Sequence, residues 1–103
     1  MQPYAVVDIE TNGSYMRPGI TEIAIVLFDG KKIVDRFESL VNPGSPITPY
    51  VSRLTGITNE MVSGAPQFHE IAKSVWELTD GAIFVAHSVN FDFTFIRTIN
   101  RKI

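Results

Sequence analysis

The stretch YAVVDIETNGSYM, residues 4–16, begins with an apolar run and then places two carboxylates, Asp8 and Glu10, two positions apart. Residues 4–9 predict a first β-strand, because they form an apolar segment of strand length. Side chains alternate between the two faces of a strand, so both carboxylates point to the same face. The sequence therefore predicts an acidic pair at the end of the first strand.

Further strands follow this one along the chain. The nearly continuous apolar run at residues 20–28 predicts a second strand, buried on both faces in the interior of a sheet. The dipeptide Asp29-Gly30 is typical of a two-residue hairpin, so residues 31–41 are expected to return antiparallel as a third strand at the sheet edge. Residues 42–49, rich in Pro and Gly, predict an irregular connection.

The second half of the chain predicts helices and one more strand. Residues 49–64 predict one or two short helical turns, and residues 66–80 an amphipathic helix. Residues 82–87 predict a fourth strand, and the segment after it a last helix. A strand that follows a crossover helix lies parallel to a neighbour. We therefore expect an α/β fold: an antiparallel three-strand meander plus a parallel strand after the crossover helix.

Composition narrows the class of protein. A chain of 103 residues fits one domain of about 100 to 150 residues, and 45% hydrophobic residues suffice for a core. The absence of cysteine excludes disulfides and thiolate metal sites. The net charge of -2 argues against a protein that coats duplex nucleic acid. The first residues lack signal-peptide features and no apolar run has the length of a membrane span, so we expect a cytoplasmic protein with no membrane partner.

A third acid occupies a matching position. Asp92 follows the predicted fourth strand, at the start of the last helix. The carboxyl ends of parallel strands meet at one rim of a sheet, where ligands bind. Neighbouring carboxylates require protons, basic partners or a cation, and oxygen ligands suit Mg²⁺ or Mn²⁺. The alternatives are that Asp8 and Glu10 are simply solvated and that Asp92 only begins a helix.

Three segments resemble one family. VVDIETNG at 6–13 and VAHSVNFDFTFI at 85–96 look like the first and second motifs of the DEDD superfamily of 3′ to 5′ exonucleases. LTGITNEMVSGAPQFHEI at 54–71 resembles the segment between them. The likeness is strongest to the proofreading exonuclease domain of the DNA polymerase III epsilon subunit, which has a ribonuclease H-like fold. The resemblance thus implies that fold and a nuclease activity.

The resemblance also implies roles for individual acids. Asp8, Glu10 and Asp92 would be three of the four catalytic, metal-binding acids, and they would hold two divalent cations, Mg²⁺ or Mn²⁺. Two such ions about 3.5 to 4 Å apart stabilise both the attacking and the leaving oxygen of a phosphodiester.

The substrate-binding residues follow from the same resemblance. Thr11, with the backbone of Asn12 and Gly13, would contact the 3′-terminal nucleotide. Phe91 would pack near its sugar and base, or else occupy a helix core position. Ile57 would wedge against the terminal base, or else only hold its loop in place.

The sequence departs from the family in two ways. His87-Ser88 stands where relatives commonly have His-Asn. The family's third motif, with the general base and the fourth acid, is expected downstream of position 103. We therefore expect residues 1–103 to be the N-terminal part of a single exonuclease domain, truncated before the last strand and helix. Such a chain would have little or no activity alone and could form a homodimer through an exposed strand edge.

The favoured function is metal-dependent removal of nucleotides from DNA 3′ ends, of the proofreading or repair type. The expected partners are a single-stranded DNA 3′ end and a DNA polymerase subunit. Two alternatives stay open: a non-catalytic module that binds a polymerase or a nucleic-acid end, and an exoribonuclease. Only contacts to the 2′-hydroxyl separate RNA from DNA substrates.

Overall fold

The structure, a computed structural model, describes residues 2–86. This part of the chain contains four strands and three helices, and none of these helices is long and apolar enough to cross a membrane. In chain order they are β1 (Tyr4–Thr11), β2 (Ile20–Phe28), β3 (Ile33–Leu40), α1 (Pro49–Thr55), α2 (Asn59–Ser63), α3 (Phe68–Thr79) and β4 (Ile83–Ala86).

The strands form one mixed sheet in the order β3-β2-β1-β4. β1 pairs antiparallel with β2, and β2 pairs antiparallel with β3. β4 follows helix α3 and pairs parallel with β1, with Val7 opposite Ala86. The predicted meander with an added parallel strand is therefore confirmed. β1 continues to Thr11, two residues beyond the predicted end of the first strand.

The β2–β3 connection differs from the prediction. The predicted two-residue hairpin at Asp29-Gly30 is wrong. The connection between β2 and β3 spans four residues, and the Asp29 side chain closes it. One Asp29 carboxylate oxygen accepts the backbone N–H groups of Lys31 (2.8 Å) and Lys32 (2.9 Å). The amide of Lys32, and then that of Lys31, holds the pKa of Asp29 below its usual value, because both bonds favour the ionised form.

The main core lies between one face of the sheet and α3. Alternate residues of β1 and β2 point to this face and are buried, as are the residues of α3 that pack on them. These are Ala5, Val7, Ile23, Ile25, Phe68, Ala72 and Val75. The opposite face of β2 is only half-buried, so the prediction that β2 is buried on both faces is not met. On β1 and β4 that face exposes Val6 and Val85.

A smaller apolar cluster lies under the two short helices. Ile47, Ile57 and Val62 are buried together there. Thr48 begins α1 by accepting the Val51 N–H with its hydroxyl (3.3 Å), as expected of an N-cap threonine. The two short helical turns predicted within residues 49–64 are therefore confirmed as α1 and α2.

Candidate active site

Asp8 and Glu10 lie near the carboxyl end of β1, on the face of the sheet away from α3. Val7, the residue before Asp8, points to the opposite face, into the core, and is 1% exposed. Asp8 is exposed and Glu10 is half-buried. The predicted same-face pair is therefore present. Arg17, the basic residue nearest to the pair in sequence, directs its guanidinium to the carbonyl oxygen of Gly44 (3.1 Å).

A further carboxylate lies on the neighbouring strand. Glu22 of β2 is directly opposite Glu10 in the antiparallel register, and both are half-buried. Directly opposed residues have Cβ atoms about 4.5 to 5.5 Å apart, and like charges in such a pair destabilise the sheet. Sequence reasoning did not nominate Glu22, although it is the one charged residue in the apolar run Ile20–Phe28. That interruption of the run was the available signal.

The parallel strand β4 lies beside β1. Its last residue, Ala86, is opposite Val7, the residue before Asp8. Asp92 and Phe91 lie outside the described residues, as does the His87-Ser88 pair.

A β-bulge lies where β1 ends. Glu10 is opposite Glu22, but Thr11 is opposite Ile20, which leaves Thr21 as the extra residue on β2. Thr21 is 1% exposed, and its hydroxyl has no hydrogen-bond partner within the described part of the chain. Bulges bend a strand and re-aim the side chains around them, and they are frequent next to active sites. Here the bulged strand is β2, and the bulge lies directly beside the opposed residues Glu10 and Glu22.

Asn12 is completely buried just beyond the bulge, at 0% exposure. Its amide nitrogen donates to the carbonyl oxygen of Arg17 (3.0 Å) and to the hydroxyl of Ser45 (2.7 Å). Its amide oxygen accepts the backbone N–H groups of Ser14 (3.1 Å) and Gly19 (3.2 Å). The side chain of this predicted substrate-binding residue is therefore occupied inside the protein.

Gly13 brings the end of β1 against helix α1. Its φ is +77°, and a Cβ at this position would lie 2.5 Å from Cγ2 of Val51 and 2.8 Å from Oγ1 of Thr48. Only glycine combines this backbone conformation with so close an approach. Thr11, half-buried, is two residues before Gly13. The predicted nucleotide-contacting backbone of residues 11–13 thus lies beside the first turn of α1.

Ile57 is 4% exposed and packs with Ile47 and Val62 in the smaller cluster. This burial favours the second of its two predicted roles, holding the loop between α1 and α2. A contact with a terminal base remains a prediction.

The donors present suit a hard divalent cation but do not make a complete site. Within residues 2–86 no group of three or more histidine or acidic side chains could hold a metal ion. Asp8 and Glu10 supply carboxylate oxygens on one face, and Mg²⁺ and Mn²⁺ prefer such ligands together with water and phosphate. The described residues therefore fit part of a divalent-cation site.

Most of this chain is similar in sequence to part of several curated proteins. It is 39% identical over 98 residues to the 3′-5′ exonuclease DinG of Bacillus subtilis, a match that covers 93% of this chain and 10% of that protein. It is 44% identical over 101 residues to a PolC-type DNA polymerase III of Caldanaerobacter subterraneus, covering 97% of this chain and 7% of that protein. The chain therefore spans about a tenth or less of the length of these relatives.

Solved structures show the same architecture. Exonuclease X, solved in complex with 5′ overhanging duplex DNA, superposes with a TM-score of 0.68 at 34% identity, covering 86% of this chain and 51% of that one. The predicted ribonuclease H-like mixed sheet is confirmed by this likeness and by the strand order. The sequence profile of the exonuclease family matches residues 5–103. The chain therefore belongs to the exonuclease family, as its resemblance to 3′ to 5′ exonucleases implied.

Proposed function

We propose that this chain contributes the first two acidic motifs of a metal-dependent exonuclease that removes nucleotides from the 3′ end of DNA. The observation that carries the proposal is the sheet register at the end of β1. Asp8 and Glu10 share a face there, and parallel β4 lies beside β1, with Ala86 opposite Val7. The next acid after that strand is Asp92, six residues beyond Ala86.

The electrostatics of the described residues support cation binding. Asp8, Glu10 and Glu22 lie on one face of two adjacent strands, and two of these acids are directly opposed. Carboxylate oxygens gathered on one face are the ligands that Mg²⁺ and Mn²⁺ prefer, so this face is suited to a divalent cation. In that site a bound Mg²⁺ or Mn²⁺ would activate water and stabilise the leaving oxygen.

The residues of this chain would supply ligands and position the substrate. Asp8 and Glu10, with Asp92, would hold the metal. Thr11, with the backbone of Asn12 and Gly13, would contact the terminal nucleotide, and Phe91 would pack near its sugar and base.

The likeness to known proteins supports DNA as the substrate. One similar structure contains 5′ overhanging duplex DNA, and one similar protein is a DNA polymerase of the PolC type. We therefore include in the proposal a DNA polymerase partner, a cytoplasmic location and a role in replication or repair.

Calorimetric titration of the full chain with Mn²⁺ tests the metal site. We expect the wild type to bind Mn²⁺ and Asp8→Asn to lose that binding, because the substitution removes a charged ligand but keeps the shape. Asp35→Asn is the matched control, since Asp35 is an exposed acid on edge strand β3. Equal titrations of wild type and Asp8→Asn would contradict the proposal and favour a non-catalytic binding module.

A nuclease assay tests how much of the active site this chain contains. We expect labelled single-stranded DNA with Mn²⁺ to show little or no turnover, because groups that act as a unit fail together when one is missing. Fast turnover that Asp8→Asn abolishes would show that the general base and the fourth acid lie within residues 1–103. A matched RNA substrate distinguishes an exoribonuclease from a DNA exonuclease.

The homodimer is a separate part of the proposal. β4 is an edge strand of the sheet that the described residues form, and an exposed strand edge can pair with the edge of a second copy of the chain. Size-exclusion chromatography with light scattering tests this association. A monomer at high concentration would contradict it.

A further inference from the structure

The side chain of Asn12 has no polar capacity left for a ligand. An asparagine amide makes about four hydrogen bonds, two through its nitrogen and two through its oxygen. Asn12 makes all of these inside the protein and is 0% exposed. Its side chain therefore holds segments of the protein together and does not contact a substrate.

These bonds fix the turn that follows β1. The amide oxygen binds the N–H groups of Ser14 and Gly19, at the two ends of that turn, and the Asn12 backbone N–H donates to the Gly19 carbonyl (3.0 Å). The amide nitrogen binds the Arg17 carbonyl within the turn. The path of the chain directly after Glu10 thus depends on one buried amide.

The same residue ties the turn to helix α1. Ser45, which precedes the helix, accepts the second N–H of the amide and donates its own hydroxyl to the Arg17 carbonyl (2.7 Å). The Thr48 N–H donates to the Asn12 carbonyl (2.9 Å), and the Thr48 hydroxyl begins α1. Gly13, the next residue, packs on this first helical turn.

We propose that Asn12 is a positioning residue for the nucleotide site. Its buried amide holds the backbone from Glu10 to Gly13 at a fixed distance from the first turn of α1, and so preforms the surface that receives the 3′-terminal nucleotide. This inference rests on the proposed function for its ligand. A preformed surface binds more tightly because less conformational entropy is lost on binding.

Two variants of the full chain test the role of the amide. Asn12→Ala removes all four side-chain bonds. Asn12→Asp keeps the shape, but it places an oxygen against the carbonyl oxygen of Arg17 where the wild type has an N–H donor. The guanidinium of Arg17, the charged group on the same turn, binds the Gly44 carbonyl instead.

The control is Val75→Ala, which weakens the main core where α3 packs on the sheet. Val75 is 0% exposed and has no part in the turn. The measurement is the affinity for thymidine 5′-monophosphate with Mn²⁺, at a temperature where all variants are folded. We expect Asn12→Ala to weaken binding by about tenfold, the size seen when supporting groups of a site are removed. Val75→Ala should bind as the wild type does.

The comparison with Val75→Ala separates positioning from general stability, because both variants lose buried contacts but only Asn12→Ala loses the side-chain bonds that hold the turn. Asn12→Asp should also bind more weakly than the wild type, because one of its oxygens faces the Arg17 carbonyl oxygen in place of a donor. Nucleotide affinity in folded Asn12→Ala equal to that of Val75→Ala would overturn the proposal.

Hydrogen exchange tests the role of Asn12 even if the wild type binds no nucleotide. That result would refute the proposed function, while the positioning claim would be judged on the backbone N–H groups of Ser14 and Gly19, which bind the Asn12 side chain. They should exchange faster in Asn12→Ala than in Val75→Ala at matched stability. Equal exchange in the two variants would overturn the inference.

Discussion

Replacing Gly13 by alanine should destabilise the chain much more than the same change at other left-handed glycines. Two costs add at Gly13. An alanine at φ +77° costs about 1 to 2 kcal/mol. Its Cβ would also lie 2.5 Å from Val51 and 2.8 Å from Thr48, and overpacking of this kind costs about 1 to 3 kcal/mol. We expect Gly13→Ala to lower the free energy of unfolding by about 3 kcal/mol.

Gly44 provides the matched control. Its φ is +75°, and a Cβ there meets no atom within 4 Å, so Gly44→Ala carries only the backbone cost. The effect of the substitution on the unfolded chain is common to both variants and cancels in their difference. Urea unfolding of both variants should give a difference of about 1 to 3 kcal/mol. Two values within about 0.5 kcal/mol of each other would refute the close packing of the β1 end on α1.

Two further predictions concern buried and charged groups outside the acidic pair. Thr21→Val should raise the free energy of unfolding by about 1 kcal/mol, because it removes a buried hydroxyl that has no partner among the described residues and nearly preserves the side-chain volume. Thermal unfolding measures the effect, and a variant less stable than the wild type would show that the hydroxyl is hydrogen-bonded. The lowered pKa of Asp29 means that its contribution to stability is present above the unfolded-state pKa and is lost as the pH falls through the folded-state pKa. Asp29→Asn should therefore be less stable than the wild type at neutral pH and approach it in acid, and an Asp29 carboxyl that titrates by NMR at or above its usual pKa would contradict this.

β1 and β2 were predictable because alternate residues of both strands are buried in the main core. Residues 20–28 form β2 as predicted, since their apolar run is long and begins after Gly19. The helix α3 was predictable from the spacing of Ala72 and Val75, which face the sheet. The turn between β2 and β3 was not predictable from the dipeptide Asp29-Gly30, because the Asp29 carboxylate binds two backbone N–H groups and closes a four-residue connection.

The site was only partly predictable, because the alternation of side chains shows which face of the sheet a residue lies on but not which residue of the neighbouring strand is opposite it. Alternation placed Asp8 and Glu10 together correctly. It could not place Glu22 opposite Glu10, since that depends on the register between two strands joined by an irregular turn. The buried state of Asn12 was also hidden, because its partners Gly19 and Ser45 come from two different loops.

Unfavourable local features concentrate at one end of β1. Within residues 9–22 the chain opposes Glu10 to Glu22, buries the Thr21 hydroxyl without a described partner and inserts a bulge. At the other end of β1, Tyr4 and Ala5 pair in regular register with β2. A sequence specifies its fold most stably when local preferences agree, and natural proteins violate them mainly at functional sites. The bulge on β2 and the Asn12 network both lie beside Glu10, so these irregular features fall at the end of β1 where the proposed function requires the metal ligands and the nucleotide contacts.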